Sequence, residues 1–377
     1  MIMKLKWIGK ESSLKSISLR YAFLLLYKKF INHFSIFANF YIYFTKTRLL
    51  CYYCYMIEKL EEIITSSSEY RMLAGELESG KLAKTIMLIS KDSDYSFEFA
   101  RLLSCMIFNN GLNNGILEKS ESYLKVKAST HPDLKVFPIK DKLLVADSGQ
   151  IVEESAIKPI FSERKVFIIK NFEASMEAAQ NKLLKTLEEP QSNVYFILTT
   201  SNVNLVLPTI RSRCNKIELG RLDRDKIEQC IGNIDNLQMV TALSEGYIGK
   251  AERLSQNQNL DTIFNSVLSL VTKLKSSKEL LVCSKPLIDF SSEFDLIINI
   301  LSLIFEDLLA IKSGGKVKLE FCKQSLLPVS GEYTVKAIVE IRKLIDKAAK
   351  EISYNCNFIL VIENLLLNIL EVKYLCK

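Results

Sequence analysis

Histidine is scarce in this sequence of 377 residues, with His33 and His131 as the only two. Metal centres built on imidazole ligands and Ser-His-Asp catalytic triads both depend on histidine, so neither kind of site is indicated. Glycine and proline are also few, and we find no low-complexity tract or internal repeat. Because 48% of the residues are hydrophobic and 25% are charged, we expect well-packed cores rather than a disordered chain.

The nine cysteines lack the spacing of a zinc site. Cys51 and Cys54 form one C-x-x-C pair, but no second pair stands where it would complete four ligands. The other seven are scattered, as is usual for reduced cysteines that pack as small core residues in a cytosolic protein. We therefore predict a cytoplasmic protein that holds no metal ion.

Acidic residues are nearly missing from the first 55 residues. This segment holds nine Lys or Arg and one acid, so it carries +8, whereas the remainder of the chain carries −1. Because the remainder of the chain is nearly neutral, a protein that binds nucleic acid by charge alone is not indicated. We expect residues 1–55 to be an extension outside the functional unit, with Met56 as an alternative start of translation.

The same extension contains an apolar run that leaves another hypothesis open. Residues 30–45 carry no Lys, Arg, Asp or Glu and are rich in Phe, Tyr and Ile. The run is shorter than the roughly 20 residues that a spanning helix needs. A signal peptide is not indicated either, because Lys28 and Lys29 interrupt the apolar region. A membrane-associated protein anchored by residues 21–55 therefore stays an alternative.

A complete phosphate-binding loop is missing. The stretch GELESGKL, residues 75–82, has its glycines and lysine at the spacing G-x-x-x-x-G-K-[ST], but Leu82 lacks the hydroxyl that would hold magnesium. The stretch also precedes the apolar run at 85–90, which we predict to be a buried strand, whereas a phosphate loop follows one. We predict the end of a helix and its cap here.

The loop that does follow this strand has no glycine. Residues 91–96 read KDSDYS, ahead of a helix predicted over 97–108, and the two aspartates would repel a triphosphate. A second buried strand is predicted at 165–169, after which an ATPase of this architecture places an acidic pair for magnesium and water. Lys170 and Asn171 stand there instead. We predict no intrinsic ATPase and no bound cofactor.

Strands and helices alternate from residue 165 onward. A helix is expected at about 176–189, ending before Pro190, and the runs at 194–200 and 215–219 are strands. Such alternation predicts a parallel sheet with helices on both faces. Beyond residue 220 the pattern is helical, with apolar residues at spacings of three and four. Cys214 is predicted to be a packing residue rather than a nucleophile.

Four sequence motifs carry a family resemblance. Three of them, AAQNKLLKTLEEP, FILTTSN and LPTIRSRC, lie in this region, and the fourth, EGYIGKAERL, lies downstream. With them the chain resembles the AAA+ subunits of the clamp loader of bacterial DNA polymerase III, most closely the delta prime type. The resemblance implies an α/β AAA+ core over 56–220, in which a RecA-like parallel sheet has flanking helices. It further implies a small helical lid over 221–257 and an all-α collar domain for oligomerisation over 258–377.

Subunits of that family differ in whether their nucleotide site is intact. Gamma- and tau-type subunits keep the phosphate loop and the acidic pair, whereas delta prime-type subunits can lose both and act as a rigid stator. The two defects fit a catalytically silent subunit, and an active gamma/tau-like ATPase is the alternative. The implied partners are gamma/tau and delta subunits and, through the complex, the sliding clamp and primer–template DNA during replication.

The resemblance also assigns roles to three residues. Arg213 takes the place of the arginine finger of the SRC motif, which reaches across the subunit boundary to the γ-phosphate of a neighbour's ATP. Asn202 resembles the polar residue of sensor one, and Lys250 stands where sensor two has a basic residue. Without a nucleotide in cis, Asn202 and Lys250 could simply fix loops by hydrogen bonds. From the residues alone, Arg211 and Arg213 are solvated loop arginines.

Overall fold

The computed structural model describes residues 55–113, 117–138, 142–274, 285, 287–354 and 356–375. The membrane-anchor hypothesis for residues 21–55 therefore falls almost wholly outside the described residues. The chain divides into two units, one ending at Arg221 and the other beginning at Leu222. Among the described residues, no helix combines the length and apolar character needed to cross a membrane.

The first unit alternates helices and strands. A helical segment over residues 55–66 comes first, and its buried side chains include Met56 and Ile64. The elements that follow are α1 (Ser68–Glu78), β1 (Thr85–Ile89), α2 (Ser93–Phe108), α3 (Glu121–Lys127), β2 (Leu134–Phe137), α4 (Val145–Ser155), β3 (Lys165–Ile169), α5 (Glu177–Glu188), β4 (Val194–Thr200), α6 (Pro208–Arg211) and β5 (Asn215–Glu218).

The five strands form one parallel sheet in the order β2-β3-β4-β1-β5. Strand β1 lies between β4 and β5, with Thr85 opposite Phe196 and Ile86 opposite Asn215. Because parallel neighbours need crossover connections, helices cover the sheet and the carboxyl ends of β1, β3 and β4 meet at one edge. The predicted parallel α/β sheet with flanking helices, followed by a helical C-terminal part, is confirmed.

The central strands are mostly apolar because both of their faces are covered. Every residue of β3 and β4 is buried. Phe167 and Ile169 pack in one core cluster with residues of α4 and α5, and the Phe167 ring stacks on Phe196 with centroids 5.1 Å apart. Side chains alternate along a strand, so Val166 and Ile168 face the opposite side of the sheet. A strand buried on both faces reads as a continuous hydrophobic run.

The second unit is helical. Its elements are α7 (Arg224–Ile231), α8 (Leu237–Ser244), α9 (Ile248–Ser255), α10 (Leu260–Lys273), α11 (Phe294–Ser313), α12 (Lys323–Ser330), α13 (Val335–Ser353) and α14 (Phe358–Leu375). A strongly apolar stretch of this region lies in α11, where ten of twenty residues are buried, as its composition predicts. Buried Asp307 of α11 accepts hydrogen bonds from the backbone N–H groups of Lys318 and Leu319, at 2.8 and 2.7 Å.

Candidate functional site

The stretch GELESGKL is the C-terminal cap of α1, as predicted. Gly80 has a φ of +70°, and its N–H donates to the Leu77 carbonyl at 3.0 Å. The N–H of Lys81 donates to the Glu76 carbonyl at 2.7 Å, which completes the pair of bonds that defines a Schellman motif. Leu82 is buried. The N–H groups that a phosphate loop would aim at its ligand are therefore spent on closing the helix.

The loop after β1 is shorter than predicted, and this is a correction. Helix α2 begins at Ser93 rather than at residue 97, because Asp92 is its N-cap and accepts a hydrogen bond from the Tyr95 N–H at 3.1 Å. The N–H of Asp92 in turn donates to the Ser90 hydroxyl at 3.1 Å. A buried carboxylate therefore occupies the helix N-terminus where a phosphate loop would hold its anion.

Lys170 follows β3 at the place where an ATPase has its acidic pair. Its backbone N–H donates to the Phe137 carbonyl at 2.7 Å, and its ammonium lies 4.8 Å from the centre of the Phe97 ring. Burial lowers the pKa of Lys170, although the nearby Asp94 carboxylate opposes the shift. Asn171 adopts a left-handed backbone conformation with φ +49° and donates its N–H to the Thr199 hydroxyl. A cation and an amide thus occupy this edge of the sheet.

Asn202 lies just after β4, and its side chain stabilises the loop that contains it. Its side-chain oxygen accepts the Asn204 N–H at 3.0 Å and so caps a short 3-10 turn over Val203–Leu205. Its own N–H donates to the Thr200 hydroxyl at 3.2 Å. The hydrogen-bonding capacity of this sensor-like residue is thus partly used in shaping the loop that leads to α6.

Gln180 of α5 holds the other end of that loop, and sequence reasoning missed it. The buried side chain accepts the Leu207 N–H at 3.0 Å, and its amide donates to the Ser175 carbonyl at 3.3 Å. A buried glutamine in the middle of an amphipathic helix was the available signal, because burial of an amide requires hydrogen-bond partners. Gln180 therefore fixes the start of the turn that carries Arg211 and Arg213.

Arg213 lies on the turn between α6 and β5, with its side chain 41% exposed. Its Nε atom lies 2.7 Å from a carboxylate oxygen of Glu188, the last residue of α5. Its Nη1 atom donates to the Thr209 carbonyl at 2.7 Å and, at a longer 3.4 Å, meets the Ser212 hydroxyl. The guanidinium is thus held in one orientation at the surface.

Arg211 and Cys214 flank Arg213 and are placed differently. The Arg211 side chain reaches only a 3.4 Å hydrogen bond to Asn204, and its Nε atom is buried without a hydrogen-bond partner among the described residues. Cys214 packs against the core cluster, and burial raises the pKa of its thiol to about 12. A thiol with that pKa stays protonated at neutral pH, which agrees with the predicted packing role.

Lys250 belongs to the second unit. Its ammonium pairs with Glu245 at 2.7 Å, and both side chains are about one-third exposed. The residue lines an open groove of about 770 Å³ together with Arg253, Asn257 and Asp295. Because the groove carries charges of both signs, it does not single out an anionic ligand.

Comparison with known proteins identifies relatives. Residues 65–223 match the family described as "DNA polymerase III, delta subunit". DNA polymerase III subunit gamma of Buchnera aphidicola subsp. Baizongia pistaciae is 25% identical over 255 residues, which cover 60% of this chain and 68% of that protein. DNA polymerase III subunit delta' of Bacillus subtilis is 23% identical over 312 residues, which cover 80% of this chain and 95% of that protein.

Among solved structures, a DNA polymerase III gamma subunit-related protein of Thermotoga maritima aligns with a TM-score of 0.42 and 19% identity. The alignment covers 84% of this chain and 99% of the other.

Proposed function

We infer the function of this chain from one fact: residues 65–223 belong to the DNA polymerase III clamp-loader family. Within that family we assign it to the delta prime-like subunits that do not hydrolyse ATP themselves. As such a subunit it works in the cytoplasm and supports ATP-dependent loading of the sliding clamp during DNA replication. Its partners are the gamma/tau and delta subunits and, through the complex, the clamp and primer–template DNA.

The observation that carries the silent role is the carboxylate at the start of α2. Asp92 is buried and bonded to the Tyr95 N–H, so a phosphate would have to displace it from the helix N-terminus. Lys170 stands where magnesium would need an acidic ligand. Two unit charges of like sign about 4 Å apart repel by about 4 kcal/mol near a protein surface, which opposes a bound triphosphate beside Asp92.

The contribution of this chain to hydrolysis is Arg213, acting in trans. The residue is exposed at the surface, where its guanidinium is accessible to a neighbouring molecule. A trans arginine stabilises the negative charge that develops on the transferred phosphoryl group, which in other systems raises the rate by about 10³–10⁵. A planar, permanently charged guanidinium suits this task better than a lysine ammonium.

Binding of labelled ATP with magnesium to the full chain tests the silent role. We expect no binding at micromolar ATP and no turnover. A micromolar dissociation constant, with turnover abolished by Lys81→Ala, would instead favour the active gamma/tau-like ATPase, to which the gamma-subunit relative also points.

Co-purification tests the clamp-loader role. The full chain, mixed with gamma/tau and delta subunits, should form a complex of defined stoichiometry. Fractionation of the full chain and of a chain that starts at Met56 provides the control for the membrane hypothesis. If only the full chain sediments with membranes and neither joins the other subunits, the clamp-loader proposal is wrong and the anchored protein is favoured.

A further inference from the structure

The guanidinium of Arg213 is bonded on one side and open on the other. Its Nε atom forms an ion pair with a carboxylate oxygen of Glu188 at 2.7 Å, and Nη1 donates to the Thr209 carbonyl at 2.7 Å. Among the described residues none accepts a hydrogen bond from Nη2, so this nitrogen keeps its donor capacity for an anion. An arginine held in this way presents a fixed N–H edge, which suits a phosphate better than a freely rotating side chain does.

Both sides of the ion pair are anchored in the core. Next to Glu188, Leu187 is buried, and its carbonyl accepts the Thr85 hydroxyl of β1 at 3.0 Å. On the other side, Arg213 donates its backbone N–H to the carbonyl of Ile210, whose side chain is fully buried. The carboxylate and the arginine therefore start from rigid backbone positions, so their pairing defines where the guanidinium lies.

The position of Glu188 conflicts with the preference of the helix that carries it. Glu188 and Glu189 stand at the C-terminal end of α5, where the helix dipole disfavours negative charge. Among the described residues only Glu188 of the two has an ion-pair partner. A residue that breaks a local rule without helping its own helix is a candidate for a functional role.

We propose that Glu188 is a positioning residue for Arg213. By fixing Nε, its carboxylate turns the Nη2 edge of the guanidinium toward an anion held by another molecule, namely a phosphate of a nucleotide bound to a neighbouring subunit. This inference rests on the proposed function, in which Arg213 acts on a partner's ATP. Glu188 itself does not touch the nucleotide.

The test uses the assembled clamp-loader complex that contains the full chain. Clamp- and DNA-stimulated ATP hydrolysis is measured as a function of ATP concentration for Glu188→Ala, Glu188→Gln and Arg213→Ala, with Glu189→Ala as the matched control at the same helix end. The double variant Glu188→Ala/Arg213→Ala completes a mutant cycle. Equal assembly is verified for every variant by the subunit ratio of the purified complex.

We expect Glu188→Ala to lower kcat roughly tenfold at the site that Arg213 serves, because misplacing a positioned group by 1 Å can cost about 10²-fold. The KM for ATP should change little, since the partner subunit binds the nucleotide. Glu188→Gln should restore part of the rate because its amide oxygen can still accept the Nε–H. Glu189→Ala should match the wild type, and Glu188→Ala should have no further effect in the Arg213→Ala background.

The outcomes separate this inference from the function on which it rests. If Arg213→Ala lowers the rate while Glu188→Ala does not, Glu188 is only a surface residue and the inference alone fails. An increased rate for Glu188→Ala would mean that the carboxylate restrains the arginine, which also overturns the positioning role. If Arg213→Ala leaves the rate unchanged, the trans role of the arginine fails and Glu188 has nothing to position.

Discussion

Replacement of Lys127 by methionine should destabilise the first unit far more than the loss of a surface charge would. Lys127 ends α3, and its ammonium is buried between two carboxylates, at 2.6 Å from Glu98 and 3.2 Å from Glu61. Glu98 also pairs with buried Arg101 at 3.0 Å. Burial by itself would raise the pKa of Glu98, but the two cations hold that pKa below its usual value. Glu98 is therefore ionised, and its charge depends on its partners.

The magnitude follows from what Lys127→Met leaves behind. Removing one member of a buried ion pair costs about 3–5 kcal/mol, because the other charge stays buried without compensation. Here Glu98 keeps Arg101, and the Glu61 carboxylate keeps the Tyr123 hydroxyl at 2.6 Å. We therefore expect the low end of that range, about 3 kcal/mol. Adding Glu61→Gln should recover part of the loss, because Glu61 is the carboxylate that loses its cation when Lys127 is replaced.

Urea unfolding together with hydrogen exchange of the α2 and α3 amides measures this effect. The matched control is Lys59→Met on the 55–66 segment, because Lys59 pairs with Glu62 at a similar 2.7 Å but at the surface. The control should change the free energy of unfolding far less than Lys127→Met does, because an exposed ion pair contributes little to stability. If Lys127→Met costs no more than Lys59→Met, or if Glu61→Gln makes Lys127→Met worse, the reasoning from buried charge is refuted.

Three further predictions concern the start of the chain, the arginine turn and acid stability. A chain that starts at Met56 should fold and join its partners as well as the full chain, whereas one that starts at Ser68 should aggregate because it loses the buried side chains of the 55–66 segment; equal behaviour of the two in size-exclusion chromatography would contradict this. Arg213→Ala should leave the unfolding free energy within about 1 kcal/mol but lower hydrolysis by the assembled complex, with Arg211→Ala doing much less; equal rates at equal assembly would make Arg213 a surface residue. Burial alone would raise the pKa of Asp133, but three backbone N–H groups of the loop before β3 hold that pKa below its usual value. Its stabilisation is therefore complete above the ordinary aspartate pKa and is lost as the pH falls through the folded-state value, so Asp133→Asn should flatten the acid limb of the stability curve measured by urea titration, and an unchanged limb would show that the carboxylate is not involved.

The local sequence pattern predicted an element correctly where the residues of that element determine its conformation. The run at 194–200 is uninterrupted and apolar, and it is β4 to the residue. Gly80 of GELESGKL marks the helix end, because a residue that tolerates positive φ closes a Schellman motif most easily. The start of α2 was missed although Asp92 is a common N-cap residue type, because the polar letters of KDSDYS were interpreted as a loop.

The burial of charged residues in the interior could not be predicted from the local sequence pattern. Arg101 and Lys127 are both buried, whereas arginine and lysine are almost never fully buried without partners. Glu98 and Arg101 stand three residues apart on α2, a spacing that allows a pair, but Lys127 belongs to α3, so no spacing rule within one helix could reveal the third member. Composition indicates the number of charges and not the cost of burying them.

The sequence by itself determined the α/β class of fold and the family resemblance, and it predicted the lack of a nucleotide site, because strand pattern, motifs and residue types such as Lys170 are properties of short segments. Only the tertiary structure decided which groups lie together at the carboxyl edge of the sheet and what holds Arg213. Lys170 meets the Phe97 ring only once α2 is packed against the sheet, and Glu188 meets Arg213 only when α5 and the α6–β5 turn pack together. Hydrogen bonds and ion pairs act over about 3 Å, so residues distant in the chain interact only after the sheet has brought them within that range.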